Sequence, residues 1–375
     1  MRIAAISHAC VIDVNQRLFR QLSRHEGVEL LLIAPRRWKA SIGMVVDFRE
    51  VEDAGFESAP LPVIGSGRIS SHLYRGLGTT LRRFEPEIVY LDEEPYSLPA
   101  WQTLRICRRA GYRLCFMSAQ NRVKHYPWPF RRIERGVFDY AELAVPPAPA
   151  IADVLRRKGF EGEIEVIPHF VDLELFRPLD RSDLRRELGL RGSVLGYMGR
   201  LTEEKGLMDL RHAAETLWDR GRDVSVMLVG GGPMADVFHR WRSFAPEGRV
   251  VLTGPVPHSA APEYMNVFEI LVLPSWTTHG WEEQFGRVLI EAPACGIPTV
   301  GSSSGNIPQI IEQLGSGLVF QERDPEALAD AVEELLEDPQ RAREMAHSGR
   351  ERARKLFSLP AVASRLYEAL SGMSR

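Results

Sequence analysis

The chain predicts two α/β domains, each wound around a parallel sheet. At 375 residues it is too long for one compact core and suits two domains of ordinary size. Its β-like runs are mostly continuous apolar stretches rather than alternating ones, which suits strands buried on both faces. Those runs alternate with longer amphipathic stretches, and they do so twice over, the pattern of repeated strand–helix units of Rossmann type.

Taken in order, the first half offers "RIAAIS" (2–7), "ELLLIA" (29–34), "EIVYLD" (87–92), "YRLCFMSA" (112–119) and "AELAVPP" (141–147) as strands. The second half offers "SVLGYMG" (193–199), "VSVMLVG" (224–230), "RVVLTG" (249–254), "ILVLPS" (270–275) and "PTVGSSS" (298–304). Helices are expected over "LMDLRHAAETLWDRG" (207–221) and "DPEALADAVEELLED" (324–338), the second opening with Asp324 as cap and Pro325 in the first turn. The polar, proline-containing stretch 177–182 precedes a fresh strand and marks a boundary. The expected domains are 1–178 and 179–357, with 358–375 as a C-terminal helix that packs back on the first.

A composition of 44% hydrophobic and 26% charged residues is that of a globular protein. A net charge of −3 implies no overall attraction to nucleic acid or anionic membrane. Cys10, Cys107, Cys115 and Cys295 show neither CxxC pairing nor zinc-like spacing, so reduced thiols are expected. The N-terminus "MRIAAISHAC" is too short in its apolar run for a signal peptide, and no segment reaches the ~18 apolar residues of a span. The protein is therefore expected in the cytoplasm.

Chemistry concentrates in the second half. In "YMGRLTEEKGL" (197–207), Gly199 ends a strand in a turn, and Arg200 and Lys205 bracket a polar loop. Two cations at the carboxyl end of a parallel strand suit a diphosphate, and the competing reading is a pair of solvated surface charges. The triplet Gly230–Gly232 in "VMLVGGGPM" (226–234) is followed by Pro233 and misses the GxGxxG spacing, so it reads as a close backbone approach at a ligand or as a tight turn. His258, in "VVLTGPVPHSAAPEYM" (250–265), starts a helix and reads as structural more readily than as a ligand contact. In "WTTHGWEEQFGRVLIEAPACGIP" (276–298), Glu283 lies in a loop, Gly286 at the expected helix start and Glu291 on the helix, about 8 Å along its axis. Backbone N–H groups at that start favour phosphate, and the carboxylates suit hydroxyls on either side of it.

The motifs "GRLTEEKG", "VGGGPM", "TGPVPH", "EEQFGRVLIEAPACGIP" and "GSSSGNIPQII" follow one another as in the retaining glycosyltransferases of family 4, which the chain resembles over about 120 residues. "LDEEPYSLP" and "IPHFVD" in the first half resemble the family more loosely. The resemblance implies a GT-B fold: two facing Rossmann-like domains with an interdomain cleft, the second domain binding a nucleotide sugar. It implies that Glu283 contacts the donor sugar, Glu291 the ribose and Val256 the base. Backbone groups of Phe285, Gly286, Arg287 and Val288 would cap the diphosphate, with Arg200 and Lys205 neutralising it beside Gly199. No cofactor or metal is expected, the nucleotide sugar being a substrate, and the departing phosphate is expected to take the acceptor's proton.

The chain departs from the family pattern in places. "SHACVIDVNQRL" stands where many members carry a glycine-rich loop, and "MSAQNR" replaces the usual cleft histidine, offering Gln120 or Asn121. Asn306 and Gln309 stand where many relatives have glutamates, and His169 and Phe170 where Asn-Gly is usual. No catalytic Asp/His pair is evident. Asp92, Glu93 and Glu94 support a rival reading as an epimerase or hydrolase of sugar nucleotides, their structural alternative being a strand-end turn. A non-catalytic sugar-nucleotide-binding subunit is the rival from another class. The stretch "NRVKHYPWPFRRIERG" (121–136) interleaves five Arg or Lys with Tyr126, Trp128 and Phe130, suiting an anionic or lipid-linked acceptor, a membrane surface, or simply a solvated helix face.

Overall fold

The computed structural model describes residues 1–39 and 45–373. The backbone divides into two compact units, Met1–His169 with Leu359–Arg375, and Phe170–Ser358.

Among the described residues, the first unit's main sheet has seven parallel strands: β1 (Arg2–Ser7), β2 (Glu29–Pro35), β3 (Glu57–Leu61), β4 (Ile88–Asp92), β5 (Arg113–Phe116), β6 (Leu143–Ala144) and β7 (Glu163–Ile164). Their spatial order is β7-β6-β5-β4-β1-β2-β3. Crossover helices such as Asp13–Leu22 and Leu98–Ala110 carry the chain back between neighbours, as parallel pairing requires. Ile3 to Ile6 and Leu31 to Ala34 are wholly buried, which is why those runs carry no polar alternation. β3 was not evident in the sequence because "ESAPL" is half-exposed and contains Pro60, tolerable only at a sheet edge.

The second unit's sheet has six parallel strands among the described residues: β8 (Ser193–Met198), β9 (Val224–Val229), β10 (Val250–Gly254), β11 (Ile270–Leu273), β12 (Thr299–Ser302) and β13 (Gly317–Phe320). The order β10-β9-β8-β11-β12-β13 is that of the doubly wound nucleotide-binding sheet, with its reversal between β8 and β11. The expected helices form over Leu207–Asp219 and Pro325–Glu337, and the Asp324 side chain accepts from Ala327 N at 2.9 Å.

The expected boundary after residue 178 is corrected to fall after His169. Val171 N donates to Phe357 O at 2.7 Å, and Val171 and Phe176 are buried in the second core. The polar stretch at 177–182 is a surface turn within that unit, whereas two apolar side chains upstream of it decide where the chain belongs. The helix Leu359–Met373 is part of the first unit. It lies against Asp13–Leu22, its Tyr367 stacks on His25 with ring centroids 4.3 Å apart, and Arg365 binds Glu165 at 3.1 Å.

Candidate functional site

The ends of β8 and β11, where the second sheet's order reverses, open the crevice in which such sheets hold ligands. The loop after β8 carries Arg200 and Lys205, and the loop after β11 carries Glu283. The two loops touch: Trp276 N donates to Glu204 O at 2.8 Å, and Gly206, at φ +64°, lies so close to Pro274 that a Cβ would sit 1.8 Å from its carbonyl oxygen. Only glycine fits there. The Gly230–Gly232 turn presses under the first loop in the same way, a Cβ on Gly230 falling 1.8 Å from Gly199 O. Leu201 N donates to Gly231 O at 2.9 Å. The close approach is thus between backbone segments, and it fixes the position of Arg200.

That contact brings Lys205 to Glu283. Lys205 Nζ lies 2.6 Å from Glu283 Oε2 and 4.7 Å from the centre of the Trp281 ring. Ser275 Oγ donates to the same carboxylate oxygen at 2.9 Å. Glu283 is 6% exposed, and its backbone is held by Asn306 N, which donates to Glu283 O at 3.0 Å. A buried carboxylate so paired is held in one place. Arg200 is different: it is exposed, with Glu204 3.6 Å away.

Glu291, on the helix Val288–Ala294, is also buried. Its Oε1 is 3.4 Å from His258 Nε2 and 3.8 Å from Arg287 Nε. His258 packs edge-on against Phe176, with ring centroids 5.3 Å apart. His258, read from sequence as a structural helix-start residue, therefore partners the second glutamate. The signal was absent because the two are joined only across the fold. Gly286, at φ +72°, turns the chain into the helix while Leu289 N donates to its carbonyl at 2.8 Å. Val256 is half-buried against the core, and Phe285 is buried within it. Two polar atoms here are buried without a hydrogen-bond partner, Arg287 Nε and Asn306 Oδ1. Each is an interaction left for a ligand or water.

The remaining candidates lie in the first unit. Gln120 and Asn121 follow β5; Gln120 N donates to Ser118 Oγ at 3.3 Å and its side chain reaches Tyr126. Glu94 accepts from Ser118 Oγ at 2.9 Å and Ala119 N at 3.0 Å, so it holds this loop. Asp92 accepts from Ser7 Oγ at 2.6 Å. Glu93 is the exception. His8 Nδ1 is 2.7 Å from its Oε2, while Tyr74 Oη donates to Oε1 at 3.1 Å and His72 Nε2 is 3.5 Å away. No such contact was evident in the sequence. It spans 85 positions of sequence and arises because β1 and β4 are neighbours, with Ser7 opposite Asp92. Burial pushes the Glu93 carboxyl up, but the hydrogen bonds and charges of the two imidazoles outweigh it and hold it below its usual value.

The basic stretch at 121–136 forms, with Arg157 and Lys158, the wall of a cavity of about 650 Å³. Lys158 is paired with Glu134, whereas Lys124, Arg131, Arg132 and Arg157 have no anionic partner among the described residues. Trp128 beside them is 73% exposed. The four cysteines are buried and unbridged. No helix among the described residues is long and apolar enough to cross a membrane.

Comparison with known proteins bears on the same segment. Residues 180–355, just under half of the chain, match the family described as glycosyl transferases group 1. A GDP-mannose-dependent alpha-(1-6)-phosphatidylinositol monomannoside mannosyltransferase of Mycolicibacterium smegmatis is 32% identical over 220 residues, 57% of this chain and 58% of that protein. A D-inositol 3-phosphate glycosyltransferase of Corynebacterium glutamicum is 32% identical over 253 residues, 63% of this chain and 59% of that one. The chain thus spans less than two thirds of the length of these curated relatives. Among solved structures, Anabaena HepE in complex with UDP superimposes with a TM-score of 0.77 at 18% identity, over 99% of this chain and 100% of that one. At that identity the likeness speaks for the fold alone. The second unit thus carries a segment that matches the glycosyl transferases group 1, on a GT-B fold.

Proposed function

We propose that this protein moves a sugar from a nucleotide-sugar donor to an acceptor hydroxyl, with retention of configuration and without a divalent metal. The observation that carries the reading is the buried Lys205–Glu283–Ser275 cluster at the reversal point of the second sheet, inside the family-matching segment. Glu283 would accept hydrogen bonds from the transferring sugar, and Glu291, steadied by His258 and Arg287, from the ribose. Arg200 and Lys205, with the backbone N–H groups of Phe285 to Val288, would meet the diphosphate, Gly199 allowing its approach and Val256 lining the base. Leaving-group departure is the hard step, and cations aimed at the diphosphate stabilise the charge it develops.

The acceptor is assigned to the first unit, with Gln120 and Asn121 beside it. The partnerless Lys124, Arg131, Arg132 and Arg157 favour an acceptor that carries a phosphate, free or in a lipid headgroup at a membrane's inner face. Relatives named for phosphatidylinositol monomannoside and inositol 3-phosphate agree with such an acceptor. Relatives named for GDP-mannose and neighbours solved with UDP leave the base to experiment. A thermal-shift panel of nucleotide sugars identifies the donor, since a ligand that binds only the folded state raises its stability. Product analysis with and without phosphorylated acceptors then tests transfer. Sugar released or epimerised at the same rate without acceptor would favour the hydrolase or epimerase instead.

A further inference from the structure

The helix Phe130–Phe138 turns Ile133, Val137 and Phe138 into the first unit's core, which leaves Arg131, Arg132 and Arg135 on its outer face. A cavity flanks that face on each side, and Arg132 and Arg135 line both. One is the basic cavity described above, with Trp128 in its wall. The other, of about 580 Å³, lies between this helix and Leu98–Ala110, and Leu98, Trp101, Leu104, Pro129 and Ile133 make much of its wall apolar. All of these residues belong to the first unit. Six Lys or Arg line the basic cavity and the apolar one adds two, against two carboxylates, Glu134 and Asp139. Glu134 is paired with Lys158 and Asp139 with Arg135. Lys124, Arg131, Arg132 and Arg157, with Arg105 and Arg108 on the apolar side, are left without a carboxylate partner among the described residues. The chain as a whole carries −3, so this positive excess is local. Trp128 is 73% exposed and Trp101 37%, one beside each cavity, and the Arg105 guanidinium lies 4.9 Å from the Trp101 ring centre. Indole rings left in water beside unpaired cations are what an interfacial surface presents, since indoles sit at headgroup level and cations meet lipid phosphates.

We propose that this face of the first unit docks on a bilayer that carries anionic lipids. Trp128 and Trp101 enter the headgroup layer on either side of the helix, and the six cations meet lipid phosphates. Charge complementarity selects an anionic surface, and the two indoles with the apolar cavity select a bilayer over a soluble polyanion. The contact is peripheral and reversible, held by one helix face and its flanks. The inference rests on the reading of the basic cavity as a phosphate site given above, and not on sugar transfer. Trp101, Trp128, Arg105 and Arg108 have no part in that reading, so the two can be separated. Near an anionic surface each Lys or Arg strengthens binding about fivefold, and salt screens the effect.

The test is cosedimentation of the full chain with vesicles, in the absence of nucleotide sugar. Vesicles of phosphatidylcholine mixed with phosphatidylglycerol should bind it, and vesicles of phosphatidylcholine alone should not. Raising salt from about 0.1 M to about 1 M shortens the screening length from about 10 to about 3 Å and should release most of the bound protein. Replacing Arg131 and Arg132 together with Gln should weaken binding about 25-fold, and Arg105→Gln about fivefold. Trp128→Ala should weaken it about tenfold, the indole no longer leaving water. These side chains are exposed, so the variants should melt with the wild type. Calorimetric titration with glycerol 3-phosphate separates docking from a plain phosphate site. If glycerol 3-phosphate binds the wild type while the mixed vesicles do not, the docking surface is refuted and the phosphate reading stands. Equal binding to neutral vesicles refutes it as well. So does wild-type binding by Trp128→Ala, which would mean a surface for polyanions in general. If neither glycerol 3-phosphate nor mixed vesicles bind, the phosphate reading and this proposal fall together.

Discussion

The two buried glutamates can be told apart by replacing each with its amide. In Glu283→Gln the shape is kept but the carboxylate is lost, together with its charged bond to Lys205 at 2.6 Å; Ser275 can still donate to the amide oxygen. A charged hydrogen bond contributes roughly 1.5–3 kcal/mol, so its loss at the transferring sugar should lower kcat by about one to two orders of magnitude. Free nucleoside diphosphate lacks that sugar, and Lys205 would be released to meet the phosphate. Its affinity should therefore be unchanged or greater. Glu291→Gln should do the opposite, weakening sugar nucleotide and free nucleotide alike with little change in kcat, because the ribose does not change during reaction. Stability provides a control: breaking a buried pair costs about 3–5 kcal/mol, and an amide that still accepts keeps part of it, so Glu283→Gln should melt lower yet remain folded. Calorimetric titration with nucleoside diphosphates and steady-state kinetics measure both effects. If Glu283→Gln loses diphosphate affinity while Glu291→Gln does not, the donor lies the other way round and the assignment is refuted.

Gly206→Ala should destabilise by more than the about 1–2 kcal/mol of its left-handed φ alone, since its Cβ would meet Pro274 O at 1.8 Å; denaturant midpoints check this, and an unchanged midpoint contradicts the loop contact. Replacing Arg131, Arg132 and Arg135 together with Gln should raise KM for a phosphorylated acceptor while leaving donor binding intact. Equal activity in that variant would mean a solvated surface. Turnover should survive EDTA if Arg200 and Lys205 neutralise the diphosphate, and loss of activity with rescue by manganese would refute that role.

The sequence by itself determined where most of the strands run. Continuous apolar runs such as "SVLGYM" and "VSVMLV" mark strands buried on both faces, and the glycines that end them mark the turns, because burial and backbone freedom are local properties. Glu283, Glu291, Arg200 and Lys205 could be singled out as candidates for the same reason, each lying in a short motif beside a strand or helix end. The partners of these residues were not legible. Lys205 and Glu283 are 78 positions apart, His258 and Glu291 33, and His8 and Glu93 85. The basic stretch at 121–136 was visible as composition, but its cavity needed Arg157 and Lys158 from another helix end. The domain boundary moved from 178 to 169 because the local polar stretch mattered less than which core received Val171 and Phe176. Periodicity records that a side chain is buried but not what it is buried against. Strand order decides that, because parallel neighbours bring together the ends of segments far apart in the chain, and there charges find their partners.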